Sequence, residues 1–221
     1  MISFFRAPIK NIIPEAQVSI LQIYKYITGG YAKFATERLR SITDPTTARR
    51  YKGEMLDYVT FSGCFSSRRT GELIEHSGFL CFDIDKIESE KRLQEIKTIL
   101  INDEELHTVL CFRSPSGNGL KWVVEVPDRH WLTQCPPSIV GTQRAVSYRP
   151  KVEKSNSVHS VASVREKENS VRNKNSVREG KNDAIVKNHR VLYERIRGYL
   201  FEQYGIETDH TSDIARPCYL C

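Results

Sequence analysis

The apolar residues of this chain fall into short runs between charged or glycine-rich segments, a pattern typical of mixed strands and helices. Residues 78–85 form an almost continuous apolar run, which predicts a buried central strand. Residues 107–112 and 120–126 predict two further strands, joined by a turn at 114–119. Residues 58–63 predict a short strand that ends at a turn.

Helical periodicity accompanies these strands. Residues 14–28 carry an approximate apolar stripe and precede two glycines, and residues 31–56 predict a second, weaker helical stretch. Residues 88–101 predict a helix with an acidic first turn, and residues 184–204 predict a helix that a glycine ends. Residues 216–221 resemble a short strand. The sequence therefore predicts an α+β fold or a split βαβ arrangement, with a mixed or antiparallel sheet and flanking helices.

One long segment breaks the pattern. Residues 151–183 carry almost no large apolar side chain and repeat a Ser-Val dipeptide among charged residues. Such a segment buries too little surface to offset its ordering entropy, so residues 132–183 are interpreted as a long, disordered, basic insertion. It is either a tether for nucleic acid or a tolerated surface insertion, and the small closure entropy of long loops favours the second. One domain is then divided into parts at 1–131 and 184–221.

Composition narrows the class of protein. The chain has 221 residues with a formal net charge of +6, which suits a polyanionic partner, although solvated lysine-rich faces give many proteins such a charge. The N-terminus lacks the pattern of a signal peptide, and no apolar run reaches membrane-spanning length. The six cysteines form neither a disulfide framework nor a zinc pattern. A cytoplasmic protein with reduced thiols and no membrane partner is expected.

The central predicted strand ends in two carboxylates, Asp83 and Asp85. Alternate residues of a strand point to the same face, so both side chains would reach one cleft. Hard oxygen ligands of this kind select Mg²⁺ or Mn²⁺. The alternative is a polar strand end that precedes a helix, with Asp85 near the N-cap.

A glycine-rich turn comes next. Ser116, Gly117, Asn118 and Gly119 lie between two predicted strands, and Lys121 follows them. Backbone N–H groups of such a turn can bind a phosphate, and the lysine would add a neutralising cation. The alternative is an ordinary hairpin turn.

The third element lies near the end of the chain. Asp209 could complete a set of metal ligands, and the planar guanidinium of Arg216 could bind a triphosphate. The alternative is a capped loop in which Asp213 pairs locally with Arg216. Together the three elements indicate a site for a divalent metal ion and a nucleoside triphosphate.

These elements resemble the three motifs of the archaeo-eukaryotic primase superfamily, the primase-polymerase (prim-pol) domains. The chain is similar in particular to the VirE N-terminal-like branch, found in replication genes of mobile elements and phages. Residues 59–65, 77–85, 114–121 and 204–209 carry this closer likeness. The resemblance covers roughly residues 10–131 and 184–221.

The resemblance implies an RRM-like catalytic core and a metal-dependent nucleotidyltransferase, with DNA template and nucleoside triphosphates as partners. It implies a Mg²⁺ or Mn²⁺ site at Asp83, Asp85 and Asp209. Lys121 joins these three aspartates in the implied catalytic set. The implied nucleotide contacts come from Ser116, Gly117, Asn118, Gly119, Lys121 and Arg216. A primer 3′ oxygen would attack the α-phosphate, with catalysis by positioning and charge stabilisation.

Two departures leave an alternative function open. Prim-pol enzymes usually carry a histidine where this chain has Lys121, and a lysine cannot accept a hydrogen bond as a neutral imidazole can. The family's domain normally continues beyond the position of Cys221, often into a helicase-like ATPase region. A C-terminally truncated domain is therefore expected, with a helicase-type ATPase domain or chain as a further partner. The alternative is a non-catalytic replication module that binds DNA or a helicase.

Overall fold

The structure, a computed structural model, describes residues 1–126 and 166–221, and within the second range it describes side chains from residue 182 onward. Its elements follow in chain order. They are β1 (Ile2–Phe5), β2 (Ala16–Val18), α1 (Ile20–Thr28), α2 (Lys33–Arg40), α3 (Pro45–Met55), β3 (Tyr58–Thr60), β4 (Gly63–Phe65), a 3₁₀ turn (Thr70–Glu72), β5 (Leu73–His76), β6 (Phe79–Ile84), α4 (Glu90–Ile101), β7 (Thr108–Arg113), β8 (Leu120–Glu125), α5 (Glu166–Tyr204) and β9 (Cys218–Tyr219).

Three antiparallel sheets hold the strands. A four-stranded sheet has the order β2-β1-β3-β9, a two-stranded sheet pairs β4 with β5, and a three-stranded sheet has the order β6-β8-β7. Every strand pairing among the described residues is antiparallel. The prediction of an α+β fold with an antiparallel sheet and flanking helices is confirmed at this level.

The three-stranded sheet is buried on both faces. Because side chains alternate along a strand, β6 and β8 direct one set of residues toward helices α4 and α5 and the other set toward the four-stranded sheet. The helix-side core contains Leu80, Phe82, Ile84, Leu120, Trp122 and Val124. Phe82 stacks on Tyr193 of α5 with ring centroids 4.5 Å apart. Each such buried side chain stabilises the fold by about 1.5–3 kcal/mol.

Local signals set the helix ends. Ser19 and Gln22 form a reciprocal capping box that starts α1, so residues 16–18 belong to strand β2 and not to the predicted helix 14–28. Asp44 caps α3, with Pro45 at its first position, and divides the predicted stretch 31–56 into α2 and α3. Helix α5 ends before Gly205, whose φ of 62° suits a glycine, as the sequence predicts.

Strand β1 and the first half of helix α5 differ from the sequence prediction. Strand β1 was not predicted. Its four residues are all buried, so it lacks the alternation of apolar and polar residues by which a half-exposed strand is recognised. Helix α5 begins at Glu166, so residues 166–183 are helical where disorder was predicted. Lys, Arg and Glu are good helix formers, and extending an existing helix is easier than nucleating a new one. The rest of the predicted insertion, residues 132–165, lies outside the described residues.

No helix within the described segments combines the length and the hydropathy needed to cross a bilayer.

Candidate active site at the end of strand β6

The centre of the candidate site is a buried cross-strand ion pair. Asp83 of β6 lies directly opposite Lys121 of β8 in the strand register, so both side chains share one face. Lys121 Nζ contacts Asp83 Oδ2. The two residues are only 6% and 8% exposed. The hairpin between β7 and β8 thus brings the predicted lysine to the first predicted carboxylate.

The loop that follows α5 brings the third motif to the same place. The prediction that strand β6 is central was wrong, because β8 lies between β6 and β7 and leaves β6 at the edge of the sheet. The backbone N–H of Asp209 donates to the carbonyl oxygen of Asp83 at 3.0 Å, so this loop runs beside that edge strand. Arg216 Nη2 contacts one carboxylate oxygen of Asp83 and one of Asp209. Its Nη1 donates to Asp209 Oδ1 at 2.6 Å. Two carboxylates that are distant in sequence therefore converge on a single guanidinium.

The alternative of a local pair between Asp213 and Arg216 does not match the geometry. Asp213 Oδ1 accepts hydrogen bonds from the Ala215 N–H and the Thr70 hydroxyl. Its carbonyl oxygen accepts the backbone N–H of Arg216 at 3.1 Å. The side chain of Arg216 turns to Asp83 and Asp209 instead.

The network is charged in the folded protein. Burial acts to lower the pKa of Lys121, but interactions with Cys218 and Asp83 outweigh it and raise that pKa. Burial likewise opposes the charge of Arg216, and its contacts with Asp209 and Asp83 raise its pKa. Burial acts to raise the pKa of Asp209, while the hydrogen bond and charge of Arg216 lower it overall. Opposite charges in close contact therefore hold one another ionised.

Asp85 lies two residues further along the chain, just past the last residue of β6 and so outside the strand in which the sequence analysis placed it, and its side chain is exposed. The glycine turn packs against it: a Cβ added to Gly119 would lie 3.1 Å from Asp85 Oδ1 and 2.5 Å from the carbonyl oxygen of Ile84. A side chain at Gly119 would displace the turn, so glycine is required for this approach. The structure thus places the second predicted carboxylate beside the predicted turn.

The turn is closed largely by its own backbone. The N–H of Ser114 donates to Gly119 at 2.8 Å, and the N–H of Gly117 donates to Ser114 at 2.9 Å. The carbonyl oxygen of Asn118 accepts the N–H of Ile87. The N–H of Gly117 is thus used inside the turn, as the hairpin interpretation predicts, and is not presented to a phosphate. The side chains of Ser116 and Asn118 are exposed and remain available for contact.

The predicted metal ligands fit a hard divalent cation by chemistry, since all three are carboxylates. Within the described residues, no group of three or more His, Cys, Asp or Glu side chains is arranged to hold a metal ion. The position shared by Asp83 and Asp209 is held by the guanidinium of Arg216, and Asp85 lies apart from it. A metal ion would bind all three carboxylates only after Arg216 had left this position.

Two residues of this region were not predicted. Lys52 of α3 is a further cation of the site: its pKa is lowered by burial and by the charge of Lys121, while Asp85 and Asp83 act in the opposite direction. The hydroxyl of Tyr193 in α5 donates to Asp209 Oδ1 at 2.8 Å. Tyr193 had a sequence signal only as part of an apolar helix stripe, and Lys52 had none.

A small pocket opens beside the ion pairs and also contacts Cys81, Cys218 and His189. The sulfur atoms of Cys81 and Cys218 lie 3.9 Å apart. His189 Nδ1 lies 3.0 Å from Nε2 of His76, and burial lowers the pKa of His189 to about 4. Burial therefore keeps His189 neutral at pH 7, in contrast to the charged side chains of Asp209 and Arg216 in the same region.

The model of one protein family, the BT4734-like N-terminal domain, matches residues 50–134, which is less than half of the chain. The match spans β3 to β8 and includes Asp83, Asp85 and Lys121, whereas the loop after α5 lies outside it. The name of this family states no activity, so the resemblance to primase-polymerase domains stays a prediction. No curated protein matches the chain, and no solved structure matches it.

Proposed function

We propose that this chain is a primase- or polymerase-like nucleotidyltransferase domain of a replication protein of the mobile-element or phage type. The observation that supports it is the convergence of Asp83, Lys121, Asp209 and Arg216 at the end of β6, where Asp85 and the glycine turn also meet. An RRM-like prim-pol core belongs to the same proposal. It is supported by the three-stranded antiparallel sheet with α4 and α5 on one face.

The proposed reaction is transfer of a nucleotide from a nucleoside triphosphate to a 3′ oxygen on a DNA template. Asp83, Asp85 and Asp209 would hold Mg²⁺ or Mn²⁺, which supplies charge neutralisation for the triphosphate and the attacking oxygen. Arg216 would bind the triphosphate through its planar fork, and Lys121 would add a second positive charge. These residues position the reacting atoms and stabilise developing charge.

The ion pairs add a condition to this proposal. A buried charge left without a partner is strongly unfavourable, so Arg216 cannot leave the carboxylates unless another cation replaces it. The released guanidinium would then bind the phosphate oxygens of a bound triphosphate. Binding of the divalent cation and of the triphosphate is therefore expected to be cooperative. The cation replaces Arg216 at the carboxylates, and the triphosphate pairs with the guanidinium that is freed.

Template-directed nucleotide incorporation by the full chain, in Mg²⁺ and in Mn²⁺, tests the proposal. The informative variant is Asp85→Asn, because this side chain is exposed and its change leaves the buried ion pairs intact. Glu88→Gln, an exposed carboxylate three positions along the chain, is the matched control. We expect incorporation to fall by about a hundredfold or more in Asp85→Asn and to be unchanged in Glu88→Gln. Equal activity of the two variants would contradict the assignment.

A non-catalytic module that binds DNA or a helicase is the second candidate. It is favoured by the ion pairs of the site: within the described residues, Lys121 and Arg216 already balance the charge of Asp83 and Asp209. Such a module would bind single-stranded DNA with an affinity that falls steeply with salt and does not depend on a divalent metal. A cooperatively folded chain that shows this behaviour and incorporates no nucleotide would establish it over the enzyme.

A further inference from the structure

A second concave site lies near α2 and strand β7. It is a groove of about 340 Å³, open to solvent on one side, and its lining includes residues of α1, α2, β7 and the end of the chain. The groove shares no lining residue with the pocket at Asp83. The two sites meet at the glycine turn, because Arg40 donates to the carbonyl oxygens of Pro115 and Ser114 at 3.1 and 3.3 Å.

The lining of this groove is predominantly positive. Lys33 and Arg40 lie seven positions apart on α2, so helical geometry places them on one face together with Glu37. Within the described residues neither cation forms an ion pair with a carboxylate. Arg113 also lines the groove but contacts the carboxylate of Glu90. Glu37 is the one acidic residue of the lining, so Lys33 and the Arg40 donors that do not bind the glycine turn remain for an anionic ligand.

The groove also has an apolar side and an unsatisfied polar group. Ile27 and Phe112 contribute apolar surface. Thr36 contributes to the lining as well, and its hydroxyl is buried with no hydrogen-bond partner among the described groups. A buried polar atom without a partner is unfavourable in the empty protein, so a ligand that supplies an acceptor there gains a hydrogen bond that the fold does not provide.

Two exposed aromatic residues lie close to Lys33 in the sequence, outside the lining of the groove itself. Tyr31 and Phe34 flank Lys33 closely in sequence and are 77% and 81% exposed. Large aromatic side chains with so little burial provide flat surfaces on which nucleobases can stack. Tyr31 already stacks on Tyr26 with ring centroids 5.4 Å apart, so the other face of Tyr31 and the ring of Phe34 are the exposed stacking surfaces. Cations near such rings are the combination that recognises a phosphate attached to a base.

We propose that this groove is a second binding site, and that its ligand is a nucleotide. Lys33 and Arg40 bind the phosphate, and Tyr31 or Phe34 stacks on the base. A free nucleotide and a nucleotide within a single strand present this same chemistry. The site uses none of Asp83, Asp85 or Asp209, so the proposal holds or fails independently of nucleotidyl transfer.

Calorimetric titration of the full chain in EDTA tests the proposal without any contribution from divalent metal. The probes are AMP, inorganic phosphate and a short single-stranded oligothymidylate. The main variant is Lys33→Gln, and the matched control is Lys91→Gln, which removes an exposed lysine from the first turn of α4. Thr36→Val adds a second variant of nearly unchanged shape, whose melting temperature should not fall because the hydroxyl has no partner to lose.

We expect AMP or the oligothymidylate to bind, and the affinity to fall about fivefold or more in Lys33→Gln and about threefold in Thr36→Val. Lys91→Gln should change it by less than about twofold. Binding of the oligothymidylate alone would assign the ligand to a strand, and binding of AMP alone would assign it to a free nucleotide. Equal losses in Lys33→Gln and Lys91→Gln, no binding of either probe, or phosphate binding as tight as AMP binding would overturn the proposal.

Discussion

Asp83 lies in β6 and Asp85 just past its end, two residues further on, yet their environments differ sharply. Asp83 is buried and contacts both Lys121 and Arg216. Asp85 is exposed, lies against the glycine turn at Gly119, and forms no ion pair among the described residues. The two carboxylates look equivalent in the sequence motif, but only Asp83 is held in ion pairs within the described residues.

Strand geometry sets where these side chains begin, and tertiary packing sets which partners they meet. Alternation along β6 fixes the face on which Asp83 lies, and Asp85 follows directly after the last strand residue, Ile84. The register with β8 and the loop after α5 then supply cations to Asp83 but none to Asp85. Asp83 consequently links β8 and the C-terminal loop to β6, whereas Asp85 remains free to bind a ligand cation. We infer that Asp83 stabilises the fold as well as the site, and that Asp85 serves the site alone.

The largest expected effect is on stability. Asp83→Ala leaves two buried cations without their shared partner and should lower the free energy of unfolding by about 3–5 kcal/mol. Asp85→Ala, at an exposed position, should change it by less than about 0.5 kcal/mol. Urea denaturation of both variants measures the difference. Equal losses would remove the distinction between the two aspartates.

Acid stability sharpens the comparison, because buried His189 of the pocket gains a proton before Asp209 does as the pH falls. The pKa of His189 is lowered by burial to about 4, so the unfolded chain binds a proton at higher pH than the folded protein does. The contribution of His189 to stability should be constant above about pH 6.5 and should fall by about 3 kcal/mol between pH 6.5 and pH 4. Asp209, whose folded pKa is lowered, adds a further loss only as the pH falls below about 4.

Urea denaturation across this pH range measures the effect. His189→Gln should flatten the loss between pH 6.5 and pH 4. His210→Gln, at an exposed histidine, should leave the loss as it is in the unsubstituted chain. A pH dependence that is the same in both variants would show that His189 is not its source.

A smaller effect is expected from the cation of the cross-strand pair. Lys121→Met keeps the long apolar part of the side chain and removes one of the two cations of Asp83. Because Arg216 remains, the loss of stability should be about 2 kcal/mol, less than that of Asp83→Ala. A double-mutant cycle with Asp83→Asn should give a coupling free energy of about 1–3 kcal/mol. A coupling near zero would mean that the contact contributes nothing to stability.

The part of the site that lies on β6, the glycine turn and β8 could be predicted from sequence. The apolar run before Asp83, the glycine turn and the strand after it define β6, the turn and β8, and the antiparallel register then sets Lys121 opposite Asp83. Local pattern also predicted α4 and the glycine that ends α5. These features depend on spacing along the chain, which a sequence displays directly.

The remaining part depends on packing between distant segments. Lys52 reaches the site from α3 and the hydroxyl of Tyr193 reaches it from α5, and neither position has a local pattern that distinguishes it from surface or core. The motifs indicated that Arg216 belongs to the site but not that it pairs with Asp83 and Asp209. Strand β1 was missed because burial on both faces removes the alternation by which a strand is recognised.

The central claim is that the end of β6 binds a triphosphate together with a divalent cation, with Asp85 as its free carboxylate. Calorimetric titration of dATP into the full chain, once with Mn²⁺ and once with EDTA, tests it most directly. The account predicts that Mn²⁺ tightens dATP binding by about tenfold or more, that Asp85→Asn removes this gain, and that Glu88→Gln keeps it. The same affinity for dATP in Mn²⁺ and in EDTA, or a gain that survives in Asp85→Asn, would contradict the claim.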